Sequence, residues 1–533
     1  MNDPVQPSAN AGAAPVPGRV SEKRVKHFRQ ILLWPVHLLP LPEGVPEADH
    51  GALLAAGAAD NPWHAVADEF TRDPAAFEER HYNEFVTFLP PVQRFLYGQG
   101  IGKSVRRGYG ESPIRVMRRS DVAALRVTLT PDTVPVRFEV AHVDLYFFFD
   151  IDVAMLAVEI FAEDLPLGVA EEAMFRIGRA YPAYWESDGR GGHCPVRTEW
   201  LSATGAVLAT SDYESRTKFL AFVAEHRAPA IAAHWDYLMH PLALHQSDRA
   251  GALRYRQLEY YRMPFMAYLA MTDPQQLTHA DHVRLALARG AGEGNRSAEA
   301  DRHVAPSEAK HAFDVYQAAG AGSDWTPTRY CVSGYTFVVT GDAGNRVHMD
   351  TGRGYLGRFR HQHFLLFLIA HFHRAALLMF SNTLALTVSQ LDVANPSSVR
   401  AFQRRTRAAL ETFLRFTHRY WFHEVSEQAQ NRALFELCRR HLGLDRLYAD
   451  VRQELEDMSV YLENETMRRQ NASMVRLTVV TTFGLIGTVT TGFLGMNLID
   501  WAGEPPAVKL LLLATNFVPI KALTLNTVQK STR

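Results

Sequence analysis

The chain has 533 residues, more than a single hydrophobic core normally organises, so at least two structural units are expected. Its 56 Lys and Arg residues balance 57 Asp and Glu residues, which excludes a chain-wide attraction to nucleic acid. Cys194, Cys331 and Cys438 are widely spaced, which argues against a disulfide framework or a cysteine zinc site and favours a reducing compartment.

The first residues predict a disordered leader and a cytoplasmic N-terminal mass. Residues 1–20 are rich in Ala, Pro and Gly and lack the charged start and apolar run of a secretory signal. Residues 24–41 mix basic and apolar side chains, and Pro40, Pro42 and Pro46 would end any helix that forms there.

Residues 21–357 are predicted to form a cytoplasmic α+β domain. Residues 125–162 are rich in β-branched and aromatic side chains and predict a strand meander. Helices are expected at 168–184 and 213–238, with a hairpin turning at 203–205 between them. A further strand or hairpin is expected at 329–342. Residues 273–325 are polar and rich in Gly and Ala, which predicts a mobile insertion.

Residues 358–476 are predicted to be a helical and stalk region. Helices are expected at 361–391 and 397–422, and a third from 445 to 497 contains no proline. At 1.5 Å per residue the third helix would be about 80 Å long, far more than a globular helix needs.

Two C-terminal segments are candidate transmembrane helices. Residues 477–494 contain no charged side chain, so a first span is predicted at 477–497, with a buried core helix as the alternative. A second span at 507–528 follows an external loop at 498–506, although Lys509, Asn516, Pro519 and Lys521 interrupt it. Basic residues before the first span and after the second predict that both termini are cytoplasmic.

The first span carries a stripe of polar and small side chains. Steps of three and four residues connect Asn471, Met474, Thr478, Thr481, Leu485, Thr488, Gly492 and Gly495. Such a stripe lines a narrow pore when it is repeated around a symmetry axis, and it also suits close packing between helices. The pattern alone leaves both interpretations open.

The end of the first span resembles the CorA family of magnesium transporters. Gly495-Met496-Asn497 matches the family's Gly-Met-Asn signature, and Asn471-Ala-Ser-Met-Val-Arg-Leu-Thr478 is similar to its Asn-x-x-Met-x-x-Leu-Thr motif. The family usually has an aromatic residue and a proline where this chain has Leu494 and Ile486. The resemblance covers roughly residues 445–528.

The resemblance implies a homopentamer in an inner (plasma) membrane, with the first span lining the pore. Passive, gated permeation of Mg²⁺ or a similar divalent cation is expected, with no cofactor. The resemblance implies a hydrated ion at Asn497 in the outer mouth, Thr488 in the middle, and Leu477, Met474 and Asn471 at the cytoplasmic constriction. The remaining expected pore residues are Thr481, Gly495 and Met496.

Two other groups of residues are candidate metal ligands. His361, His363, His371 and His373 look like a cluster, but residues eight or ten apart on one helix cannot all reach one ion. Asp144, Asp150 and Asp152 flank a strand turn, where a regulatory cation or simple solvation is expected.

The sequence contains no Walker loop, dinucleotide-binding glycine pattern or HExxH motif, so an enzyme is not predicted. The expected partners are the lipid bilayer and further copies of the chain, not nucleic acid. A membrane-anchored regulatory or binding protein with a non-conducting hairpin is the alternative function.

Overall fold

The computed structural model describes most of the chain in two compact units. One unit comprises residues 1–385 and 409–449, and the other comprises residues 386–408 and 450–533. The leader and most of the second span lie outside the described residues, which are 22–41, 50–55, 61–66, 79–98, 114–148, 150–249, 251, 253–258, 261–290, 312–315, 328–495, 503–511 and 514–515.

Fourteen described strands form one mixed sheet in the first unit. Its main path runs β12-β13-β14-β11-β1-β6-β5-β4-β7-β8, with β10, β9, β3 and β2 joined at the sides. The pairs β11/β14 and β9/β10 are parallel and the other pairs are antiparallel. The strands are β1 Arg24–Leu38, β2 Trp63–Ala65, β3 Ile114–Arg119, β4 Ala124–Thr128, β5 Val136–Phe148, β6 Ile151–Pro166, β7 Arg197–Leu201, β8 Val207–Thr210, β9 Ala243–Leu244, β10 Arg254–Gln257, β11 Phe265–Met271, β12 Ala312–Val315, β13 Thr328–Val332 and β14 Thr336–Asp342.

The helices are mostly short before residue 355 and long after it. They are α1 His50–Ala55, α2 Glu79–Phe85, α3 Pro90–Tyr97, α4 Leu167–Arg176, α5 Arg216–His226, α6 Ala233–Met239, α7 His279–Leu287, α8 Arg346–Met349, α9 Tyr355–Ser389, α10 Pro396–Arg419, α11 Ala429–Leu442 and α12 Leu444–Gly495. Residues Phe359–His363 form a π-helical turn within α9.

The first strand of the sheet was not recognised from the sequence. Residues 24–38 form strand β1, which the sequence pattern did not predict, and β1 pairs with β6 along one edge and with β11 and β10 along the other. Both faces of β1 are covered, so nearly every residue after Lys26 is buried. A strand buried on both faces lacks the polar–apolar alternation by which strands are recognised, which explains the difference.

Other predicted elements are present in the structure, although the bounds of some differ from the predicted bounds. The meander is formed by β4, β5 and β6, and the predicted hairpin is the β7/β8 pair. The helix expected at 168–184 ends at Arg176. The helix expected at 213–238 is two helices, because Arg227 adopts a left-handed conformation (φ 54°) and Pro229 follows.

The predicted insertion at 273–325 contains regular structure in its described parts. Residues 279–287 form α7, whose start is a capping box between Thr278 and Asp281. Residues 312–315 form β12, paired with β13. Residues 291–311 and 316–327 lie outside the described residues.

One face of the sheet packs against α6 through tryptophans. The Trp235 ring of α6 lies 6.4 Å from Trp34 of β1 and 5.7 Å from Trp200 of β7, measured between ring centroids. Trp200 Nε1 donates a hydrogen bond to the carbonyl oxygen of His234. Burial of these large rings is worth several kcal/mol, which makes this layer a main part of the core.

The opposite face is covered by α9. Phe359 contacts Tyr268 of β11 at 5.2 Å between ring centroids, and Phe372 stacks on Phe148 of β5 at 4.1 Å. Among the described helices, α9 alone is long and apolar enough to cross a membrane, with a mean hydropathy of 1.7, yet 78% of its most apolar window is buried. α9 is therefore the core helix of this unit, and its mostly apolar residues 364–380 are buried or half-buried.

Candidate ion pathway

The predicted pore helix is continuous with the stalk. α12 contains 52 residues from Leu444 to Gly495, which corresponds to a length of about 78 Å. It begins directly after Gly443, which ends α11 in a left-handed conformation (φ 64°). The sequence prediction of an unbroken helix is confirmed up to Gly495.

The described candidate pore residues lie on the exposed part of α12. Met474 is 68% exposed and Leu477 is 64% exposed, and Asn471, Thr481 and Thr488 are also exposed. Gly495 is the last residue of the helix. Met496 and Asn497, which carry the rest of the signature, lie outside the described residues.

The apolar part of α12 has exposed side chains around its circumference. Residues 474–488 form an apolar stretch. Val480 and Leu485 are 67% and 66% exposed, and Val475 and Ile486 are partly exposed. This segment is not packed in the core, which α9 occupies instead. Water is a poor environment for such a surface, so the surface is suited to lipid or to other copies of the helix.

The threonines of this segment satisfy their hydroxyl donors within the helix. Thr478, Thr481, Thr482 and Thr488 each donate to the carbonyl oxygen four residues earlier, at 2.7–2.8 Å. A threonine oxygen that donates in this way keeps its lone pairs for another partner. The arrangement satisfies these four hydroxyl donors within the helix and presents acceptor oxygens along it.

The second predicted span is described only at its start. Residues 506–511 are helical, and Leu510 and Leu511 are 70% and 65% exposed. Residues 512–513 and 516–528 lie outside the described residues. The prediction of two C-terminal spans therefore remains a prediction.

The four histidines considered as candidate metal ligands all lie on α9, and three of them are buried. His363, His371 and His373 are buried, and burial lowers the pKa of each to about 3, so they are neutral. His373 Nε2 faces the carbonyl oxygen of Tyr420, whereas the rings of His363 and His371 pack against aromatic side chains. Within the described ranges, no three His, Cys, Asp or Glu side chains converge as metal ligands.

The aspartates around the β5/β6 turn are also separated. Asp144 is buried and accepts two hydrogen bonds from Arg118 at 2.7 and 2.8 Å. Asp150 accepts a 3.0 Å hydrogen bond from Arg419, and Asp152 is exposed. Asp144 and Asp150 are thus neutralised by arginines on different elements, and the three do not form a cation site.

A cavity of about 670 Å³ lies in the first unit between α4 and α7. Its buried carboxylates are paired: Asp281 with Lys23 and Arg284, and Glu171 with Arg284. Of these ion pairs, Arg284–Glu171 joins α7 to α4, and Lys23–Asp281 joins α7 to the residue that precedes β1. The cavity therefore has no free carboxylate pair with which to bind a cation.

Sequence reasoning missed the charges on α10. Arg400, Arg404 and Arg407 recur at helical spacing and are exposed. The spacing was readable from the sequence, but it acquires meaning only once the neighbours of α10 are known.

No protein-family model and no curated protein matches the chain. Among solved structures, the full-length CmaX protein is 15% identical with a TM-score of 0.18, and the match covers 51% of this chain and 94% of CmaX. The CorA magnesium transporter from Methanocaldococcus jannaschii is 14% identical with a TM-score of 0.14, and the match covers 54% of this chain and 92% of that chain. These are weak structural neighbours, and at such scores they support no conclusion about function.

Proposed function

We propose that the chain is a divalent-cation transporter, with Mg²⁺ as the main substrate, in which several copies of α12 surround a pore. The observation that carries this proposal is the exposed, charge-free end of a 52-residue helix with one stripe of threonine and glycine. The stripe leads to the Gly495-Met496-Asn497 sequence. The resemblance noted from the sequence makes five copies the expected number.

The length of the exposed apolar segment suits a bilayer. Residues 477 to 495 span about 27 Å of helix, close to the ~30 Å hydrocarbon thickness. Arg468, Arg469 and Arg476 precede the segment, which favours a cytoplasmic location for the stalk and for both termini.

The chemistry of the stripe suits a hydrated cation. Mg²⁺ prefers oxygen ligands and releases its water slowly, so neutral oxygens bind it without trapping it. Thr481 and Thr488 would offer hydroxyl oxygens along the path, and Asn497 would offer an amide oxygen at the outer mouth. Leu477 and Met474 would narrow the cytoplasmic end.

The test is ion uptake into liposomes that contain the purified full chain. Asn497→Ala is expected to abolish Mg²⁺ uptake and leave the oligomer intact. Asn464→Ala is the matched control, because Asn464 is an exposed asparagine on the stalk part of the same helix. Wild-type liposomes without Mg²⁺ or Co²⁺ flux would instead support the non-conducting, membrane-anchored alternative.

A further inference from the structure

The exposed face of α10 carries a row of positive charge. Arg400, Arg404 and Arg407, here called the arginine row, are spaced by four and three residues and therefore share one helical face. Among the residues that the structure describes, none of the three forms an ion pair, and Arg400 donates only to the carbonyl oxygen of Pro396. α10 contains six arginines against one glutamate, so its own helix offers little counter-charge.

The stalk part of α12 carries a complementary row. Asp450, Glu454 and Asp457, here called the acidic row, have the same helical spacing. Within the described ranges, Glu454 and Asp457 form no ion pair. Burial and the negative charge of Asp450 raise the pKa of Glu454.

Ring contacts define how α10 lies against α12 in the same chain. Phe402 lies 6.1 Å from Tyr461, and Phe413 lies 5.7 Å from Tyr448, measured between ring centroids. Residue numbers rise along one helix as they fall along the other, so the two helices run in opposite directions.

The two rows therefore lie at similar heights along the stalk. Arg404 and Arg407 follow Phe402 by two and five residues, and Asp457 and Glu454 precede Tyr461 by four and seven. At 1.5 Å per residue, the paired positions differ in height by only about 3 Å.

The arginine row does not face the acidic row of its own chain. Phe402, Thr406 and Ala409 form the buried face of α10, and the arginine row lies on the opposite side of the helix. A helix with its side chains is about 10 Å across, so these guanidinium groups point away from the α12 of the same chain. A partner for the row must approach from outside.

We propose that the arginine row of one copy binds the acidic row of α12 in an adjacent copy. The proposal rests on the proposed function, because it assigns the contact that aligns the stalks of the oligomeric transporter. A rotation about an axis parallel to α12 does not shift a copy along that axis. The arginine row of one copy and the acidic row of the next therefore lie at the same height and can meet. Ion pairs between such rows set the register and the choice of partner.

Charge reversal tests the contact on the full chain in uncharged detergent at low salt. Arg404→Glu/Arg407→Glu and Glu454→Arg/Asp457→Arg are each expected to lose the oligomer and to sediment as the 59.9 kDa chain. In a five-membered ring, a mixture of the two variants is expected to recover the oligomer in part, because opposite rows can meet at four of the five contacts and one contact stays mismatched. The matched control, Arg137→Glu/Arg190→Glu, has the same charge change at exposed arginines elsewhere and is expected to stay oligomeric.

Three results would overturn the inference. The first is that both charge-reversal variants keep the oligomer mass of the wild-type protein. The second is full recovery when both changes are combined in one chain and no recovery at all on mixing, which indicates an intramolecular contact. The third is a normal oligomer with weakened binding to phosphatidylglycerol vesicles, which makes lipid the partner of the arginine row.

Ion flux separates this inference from the proposed function. If the oligomer conducts ions and charge reversal does not change its assembly, the transporter proposal is supported and the proposed contact is wrong. If assembly depends on the two rows but the oligomer does not conduct ions, the proposed contact is supported and the transporter proposal is wrong.

Discussion

Glu159 of β6 accepts a 2.7 Å hydrogen bond from Nε of Arg360, in the π-helical turn of α9, and thereby connects the sheet to the core helix. It also accepts a hydrogen bond from Arg29 of β1. Burial alone would raise the pKa of Glu159, but the hydrogen bond and charge of Arg360, together with the charge of Arg29, hold it below its ordinary value.

Removing this carboxylate is expected to destabilise the first unit strongly. Glu159→Gln leaves Arg29 and Arg360 without their shared counter-charge, and breaking a buried pair in this way costs about 3 kcal/mol. The measurement is the denaturant midpoint of the purified chain in detergent. Glu139→Gln removes an exposed carboxylate from the same sheet and should change the midpoint little. Equal midpoints for the two variants would contradict the role of Glu159.

The buried histidines are expected to make the fold sensitive to acid. Burial lowers the pKa of His363, His371 and His373 to about 3, whereas in the unfolded chain the pKa is near 6.5. The unfolded state therefore binds more protons below pH 6.5, and stability falls as the pH falls from 6.5 toward 3. At pH 5 each such histidine costs about 2 kcal/mol relative to pH 7.

A single substitution tests the histidine argument. His371→Phe is expected to reduce the difference in unfolding free energy between pH 7 and pH 5 by about 2 kcal/mol. His418→Phe replaces an exposed histidine of α10 and serves as the control. If both variants keep the wild-type dependence on pH, the buried rings are not the source of acid sensitivity.

The thiols are expected to be unreactive in the folded protein. Cys194, Cys331 and Cys438 are buried and are not in disulfide bonds, and burial raises the pKa of Cys194 and Cys438 to about 12. Since the thiolate is the reactive form, a thiol reagent at pH 8 should label almost none of them until denaturant is added. Rapid labelling of the native chain would show that the core opens readily.

Two adjacent threonines of α12 offer a matched test of the pore stripe. Thr481 lies on the stripe, whereas Thr482 lies 100° around the helix, and both donate to a backbone carbonyl. Thr481→Val is expected to lower Mg²⁺ uptake about fivefold, equivalent to one lost polar contact of about 1 kcal/mol. Thr482→Val should leave uptake near the wild-type rate, and equal effects would show that the stripe does not line the ion path.

The sequence predicted the C-terminal helix well and the candidate site only in part. The absence of proline and the local periodicity of residues 445–495 are sufficient to predict α12, because helix formation depends on neighbours in the chain. The threonine stripe was visible for the same reason. The sequence did not show that Asp144 and Asp150 bind different arginines, because those partners come from distant parts of the chain.

Local pattern by itself predicted one long helix over residues 445–497 with a charge-free end, and the structure shows it from Leu444 to Gly495. Only the tertiary structure decided that residues 24–38 are a strand at the centre of the sheet and that α9 is the core helix of its unit. Strand β1 and most of helix α9 are buried by their neighbours, and such burial removes the polar positions by which a strand, an interior helix and a membrane span are distinguished. What surrounds an apolar segment is a property of the folded chain, because it depends on residues that are remote in sequence.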